Sequence, residues 1–228
     1  DRGSVTELRV GPIRAAQAGL LTGAQLKRGA FIFGARAFGC GLVLLQAGGW
    51  VLVAVGILSL ISAVAYTAGP FPLAHNGLGD VFVFIFFGPV AVCTTAWLQM
   101  GSIPLGAWVA SSVVGAMATA VLVVNHVRDA AEDAGTNKRT LVVRFGRTFG
   151  LAEYTLLLAL PYVAVLGMVL SGRWPKTTLV MMLRLPLAVR LVHRLRTLQG
   201  RALNGALAQT AQLLVISSLL LAASLAWL

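Results

Sequence analysis

Hydrophobic positions along this chain come in long runs broken by short polar stretches. They show neither the two-residue alternation of half-buried strands nor the polar stripe of a surface helix. Residues 37–79 and 81–127 contain no Asp, Glu, Lys or Arg, and Asp80 is the one charged group between them. A helix needs about 20 apolar residues to cross a bilayer, so each run has room for about two crossings. Barrel strands would read as short alternating segments, which leaves helices as the spanning form. The pattern predicts an all-α, polytopic transmembrane helix bundle with seven spans, over residues 26–46, 50–67, 79–98, 104–127, 149–170, 177–192 and 206–227. The sixth is short and interrupted by Arg184 and Pro186. With no internal repeat or long linker, residues 1–228 read as a single transmembrane domain.

The loops provide a separate check, because cytoplasmic loops of membrane proteins concentrate Lys and Arg. Sorted by span parity, one side receives fourteen basic groups and the other only Arg173 and Lys176. Trp50, Trp97, Trp174 and Trp227 fall at the weakly charged ends, as an interfacial aromatic belt requires. The basic side is therefore expected to face the cytoplasm, in a multi-pass protein of the cell inner (cytoplasmic) membrane. Composition agrees: 58% of the 228 residues are hydrophobic and 11% charged, and mean hydropathy is +0.86. The formal net charge of +11 is dispersed over inter-span loops without aromatic interleaving. That pattern suits anionic lipid headgroups and argues against nucleic acid. Cys40 and Cys93 lie on different predicted spans without ligand spacing and read as small apolar residues.

Three of the seven carboxylates, Asp129, Glu132 and Asp133, sit within five residues just after the longest uncharged run. Asn125, Asp129 and Asp133 recur every four residues, so they share one face if the fourth helix continues through them. Two like charges at that spacing repel, and a cation held between them relieves the repulsion. The oxygen donors are of the kind Mg²⁺ prefers, and too few to complete its shell without water and substrate phosphate. Lys138, Arg139 and Arg144 follow in the same loop and are cations able to clamp a diphosphate. A solvated helix end in which Arg128 pairs with Glu132 is the plainer alternative.

A diphosphate at the lip of an apolar bundle implies a ligand with a hydrocarbon tail. Phe82, Phe84, Phe86 and Phe87 either line a channel for that tail, or face an allylic cation, or pack against lipid and neighbouring helices. Tyr66 and Asp80 bracket a Gly- and Pro-rich loop without Lys or Arg. A carboxylate entering a span is a functional candidate, with a helix-capping role as its alternative. His75, His126 and His193 are scattered and make no ligand set with each other; His126 adjoins the proposed site, though most His in such positions are interfacial bystanders.

At these residues the chain resembles the UbiA superfamily of intramembrane prenyltransferases, and within it the menaquinone branch. The likeness rests on the run from Arg9 to Arg14, Tyr66-Thr67, Gly77 to Asp80, Phe86 to Gly88, Asn125 to Asp133 and Lys138 to Gly146. It implies a nine-helix fold of which this chain would carry helices three to nine, with the first of two Asp-rich motifs missing and the natural protein longer. It implies Mg²⁺ on Asn125, Asp129 and Asp133, and a diphosphate held by Lys138, Arg128, Arg144 and Arg14. It further implies catalytic roles for Asp129 and Asp133, and an acceptor oriented by Asp80 or Tyr66. The reaction implied is transfer of a prenyl chain from a polyprenyl diphosphate to 1,4-dihydroxy-2-naphthoate, giving demethylmenaquinone. Other aromatic acceptors would use the same diphosphate site. A cation transporter or channel would need carboxylates deep within spans, and a noncatalytic assembly subunit would bind no diphosphate.

Overall fold

The computed structural model describes residues 19–136 and 138–226, so Arg14 and the run from Arg9 lie outside the described residues, as does Trp227. The described residues form helices and connecting turns, with no strand among them. Seven helices follow one another: α1 Gly23–Val43, α2 Leu45–Thr67, α3 Gly79–Met100, α4 Leu105–Gly135, α5 Leu141–Leu170, α6 Leu185–Thr197 and α7 Asn204–Leu225. Five of them, α2 to α5 and α7, are long and apolar enough to cross a membrane. The protein is a multi-pass membrane protein.

The helices follow the seven predicted segments in order and differ at their ends. Thr22 and Gln25 cap α1 reciprocally, each side chain taking the other's backbone N–H, which starts the helix ahead of the predicted residue 26. Gly49, at φ 52°, makes the break after which the second predicted span begins. The sixth segment splits into a 3-10 stretch, Lys176–Arg184, and the 13-residue α6. Pro186 lies in the first turn of α6, where its missing N–H costs nothing. In α6, Ala188, Leu191 and Leu195 are buried at helical spacing while Arg190, Arg194 and Arg196 are not. This is an amphipathic helix rather than a span.

α4 is the post of the bundle, in contact with α3, α5 and α7. Its Val113, Met117, Ala120, Val124 and Val127 recur every three or four residues and are buried with Tyr154, Leu158 and Val165 of α5 and Leu213 of α7. The Tyr154 hydroxyl shares a 2.8 Å hydrogen bond with Thr210 of α7, satisfying both groups in the core. α3 crosses α4 at two glycines. A Cβ on Gly88 would stand 2.6 Å from the Ser111 carbonyl oxygen, and one on Gly115 would stand 2.8 Å from that of Phe84. Close backbone approach at small residues is how helices attract one another where lipid removes the hydrophobic drive. Pro89 sits beside this crossing, in a π-helical segment Phe86–Cys93. By contrast α1 buries no residue and α2 only Gly48.

Candidate functional site

α4 does not stop where its apolar run ends. It continues to Gly135, which puts Asn125, Asp129 and Asp133 on consecutive turns of one face. Arg128, 8% exposed, donates from Nε and Nη2 to the two oxygens of Asp129, both at 2.7 Å. Its Nη1 donates to Asn204 Oδ1, at the start of α7, at 3.0 Å. Lys138 Nζ donates to both oxygens of Asp133, at 3.1 and 2.9 Å. Each carboxylate thus carries its own cation, and the pairing of Arg128 is with Asp129, its neighbour in sequence.

Among the described residues no three His, Cys, Asp or Glu side chains converge as a metal cluster. The donor set fits a divalent cation only as one side of its shell. Asn125 supplies an amide oxygen, and each oxygen of Asp129 and Asp133 keeps a lone pair beyond the one given to its cation.

The two loops beside this face are locked together. Arg139 N–H donates to the His75 carbonyl at 2.8 Å. Arg144 Nε and Nη2 donate to the carbonyls of Arg139 and Asn76 at 3.1 and 2.9 Å. Gly77 sits at φ 78°, and a Cβ there would come within 3.1 Å of the Arg139 carbonyl oxygen, so glycine is required twice over. Arg144 remains exposed, and Lys138 is partly so.

Below the loops, Asp80 in the first turn of α3 is 3% exposed. His126 of α4, equally buried, places Nδ1 3.3 Å from Asp80 Oδ1. That is ion-pair distance, but the two are not aligned as a hydrogen bond, and neither Asp80 oxygen has another partner. Glu153 of α5 lies within electrostatic reach of Asp80 and has a buried, unpartnered Oε2. Tyr66, at the end of α2, brings its hydroxyl to 3.2 Å from where a Cβ on Gly79 would be. It also lines an apolar cavity of about 370 Å³ between α2 and α3, with Ser59, Ser62, Ala63, Phe82, Val83, Phe86 and Phe87. Phe82 and Phe86 stack with centroids 6.0 Å apart. Phe84 turns the other way, against Gly115 of α4.

Phe82, Phe86 and Phe87 therefore share one cavity wall with Tyr66, and Asp129, Asp133, Arg128 and Lys138 share one helix mouth. Sequence reasoning passed over Glu153 and Asn204, and took His126 for a bystander. Glu153 carried a usable signal, being the one charged residue in the predicted span 149–170. Asn204 carried none, because its partner Arg128 is 76 residues away.

The sequence profile of the UbiA prenyltransferase family matches residues 6–213. The chain belongs to that family. Individual relatives are similar to it over much of its length. The 1,4-dihydroxy-2-naphthoate octaprenyltransferase of Mycobacterium tuberculosis is 34% identical over 96% of this chain and 74% of its own length. The proteins of the same name from Haemophilus influenzae and Escherichia coli are 32% and 35% identical, over 83% and 64% of this chain. This UbiA-family chain spans 64% of the length of the former and 49% of the latter. No solved structure matches it closely.

Proposed function

We propose that this chain belongs to an enzyme that transfers a prenyl group from a polyprenyl diphosphate to 1,4-dihydroxy-2-naphthoate, with decarboxylation, in menaquinone biosynthesis. The products are demethylmenaquinone, CO₂ and diphosphate. The observation that carries the reading is the juxtaposition of a carboxylate face with paired cations at the mouth of α4 and an aromatic-walled apolar cavity beside α3. The names of the similar proteins support the choice of acceptor.

In this reading Asn125, Asp129 and Asp133 hold Mg²⁺, which when bound neutralises the diphosphate and polarises its bridging bond. Lys138 and Arg144 lie at the surface of the site and donate to phosphate oxygens, joined by Arg14. Arg128 is committed to Asp129 and Asn204 and lends its charge from behind the carboxylate. Charge stabilisation of the departing diphosphate is the main catalytic contribution. The prenyl tail occupies the cavity between α2 and α3, where Phe82 and Phe86 face the developing allylic cation and water is scarce. Asp80 and Tyr66 orient the aromatic acceptor. The site opens to the cytoplasm from the inner membrane, the side on which the basic loops gather.

Membranes carrying the intact natural protein, supplied with 1,4-dihydroxy-2-naphthoate and a polyprenyl diphosphate, test the proposal. Demethylmenaquinone that requires Mg²⁺ and falls at least about 100-fold in Asp129→Asn is the expected result. A folded wild type that makes none, while prenylating another hydroxylated aromatic acid, overturns the acceptor. One that prenylates nothing overturns the reaction.

A further inference from the structure

Buried polar atoms in folded proteins nearly always have hydrogen-bond partners, so a cluster of orphans needs an explanation. Among the described residues, both oxygens of Asp80, Nδ1 of His126 and Oε2 of Glu153 are buried without a hydrogen bond. They come from α3, α4 and α5: Asp80 stands 3.3 Å from His126 and within electrostatic reach of Glu153 and of Tyr66, whose ring lines the apolar cavity. Carboxylates placed within a membrane protein are costly and are kept where they bind something. Glycine at 79 contributes to the arrangement, because a side chain there would press on the Tyr66 hydroxyl.

We propose that Asp80 and Glu153 together form the acceptor-ring site, taking hydrogen bonds from the hydroxyl groups of a flat hydroxylated aromatic whose ring lies against Tyr66. The inference rests on the prenyl-transfer reading and adds Glu153 as a specificity-determining residue and His126 as the positioning residue for Asp80. The chemistry follows from the atoms present. The unpartnered carboxyl oxygens are acceptors, which the hydroxyl groups of a ligand would satisfy as donors. Tyr66, at the edge of the tail cavity, offers an aromatic face on which a planar ring can stack. The phosphate-binding cations lie on a separate set of residues, Lys138 and Arg144, so the two substrates are read by different groups.

Equilibrium binding of 1,4-dihydroxy-2-naphthoate to the intact protein in lipid nanodiscs, followed by ligand fluorescence, provides the test, with Glu153→Gln and Asp80→Asn as variants. Each variant is expected to weaken acceptor binding about ten-fold or more, the scale of a lost charge-assisted hydrogen bond. The KM for the prenyl diphosphate should stay within about two-fold, since nothing on its path changes. Naphthoates lacking one hydroxyl should bind wild type weakly and be indifferent to one of the two substitutions, a coupling that a purely structural role would not produce. Unchanged acceptor affinity in both folded variants overturns the inference, and so does an equal loss of both substrates. Failure of wild type to bind this naphthoate while binding another hydroxylated aromatic counts against the proposed acceptor alone. Loss of that second ligand in Glu153→Gln would then uphold the two-carboxylate site.

Discussion

α2 and α4 have nearly the same mean hydropathy in their most apolar windows, 2.2 and 2.0, yet 6% of the first window and 56% of the second is buried within the protein. Hydropathy is what makes both helices cross a membrane. Burial depends on shape. α4 presents Gly115, Ala116, Ala118 and Ala120 among its larger residues, and neighbouring helices approach to backbone contact. α2 meets the body chiefly at its ends, through Gly48 against Leu98 and through the 3-10 turn Leu73–His75. The gap left beside its C-terminal half is the cavity that adjoins Tyr66. Under the proposed function, the chemistry that needs fixed geometry would sit on the packed helix and the flexible tail beside the loose one.

That contrast can be broken most strongly at the glycine crossing. Gly88→Val should cost the protein its fold, or at least about 3 kcal/mol from overpacking, because the new Cβ meets backbone that cannot yield; thermal unfolding in detergent measures it. Next in size is Lys138→Met, which leaves the buried Asp133 carboxylate without its cation. A loss of about 1–3 kcal/mol is expected from removing the charged partner of a partly exposed pair, with prenyl transfer falling in parallel, and denaturant titration beside an activity assay separates the two effects. Arg144→Ala should unlock the loops at 68–79 and 136–140, raising the KM for the prenyl diphosphate about ten-fold while costing at most about 1 kcal/mol of stability. Proteolysis of the 68–79 loop should speed up in that variant. On the loose side, Ser62→Phe fills the cavity and should shift donor preference toward shorter chains, about ten-fold in relative kcat/KM. The smallest effect belongs to Gly56→Ala on α2, where a Cβ meets nothing within 4 Å; its stability should change by no more than about 0.5 kcal/mol.

The carboxylate face was readable because helical periodicity is local: residues four apart share a face wherever α4 runs, and α4 runs through them. The cation pairing was only half readable. Lys138 follows Asp133 closely enough to be suspected from spacing. The choice of Asp129 by Arg128 depends on Asn204, which holds the guanidinium from another helix. The acid pair was less readable still. Asp80 and Glu153 stand 73 positions apart, and only the packing of α3 and α5 on α4 puts them within electrostatic reach of each other.

By itself, the amino-acid sequence determined the all-helical membrane class, the order of the seven helical segments, the placement of the Asp-bearing turns and the family. All of these rest on composition, periodicity and motif spacing within a few dozen residues. The tertiary structure alone decided which apolar helix would be buried, where the cavity would open, and that His126 and Glu153 would join Asp80. In lipid every apolar face is equally content, so those outcomes turn on close fit between surfaces far apart in the chain.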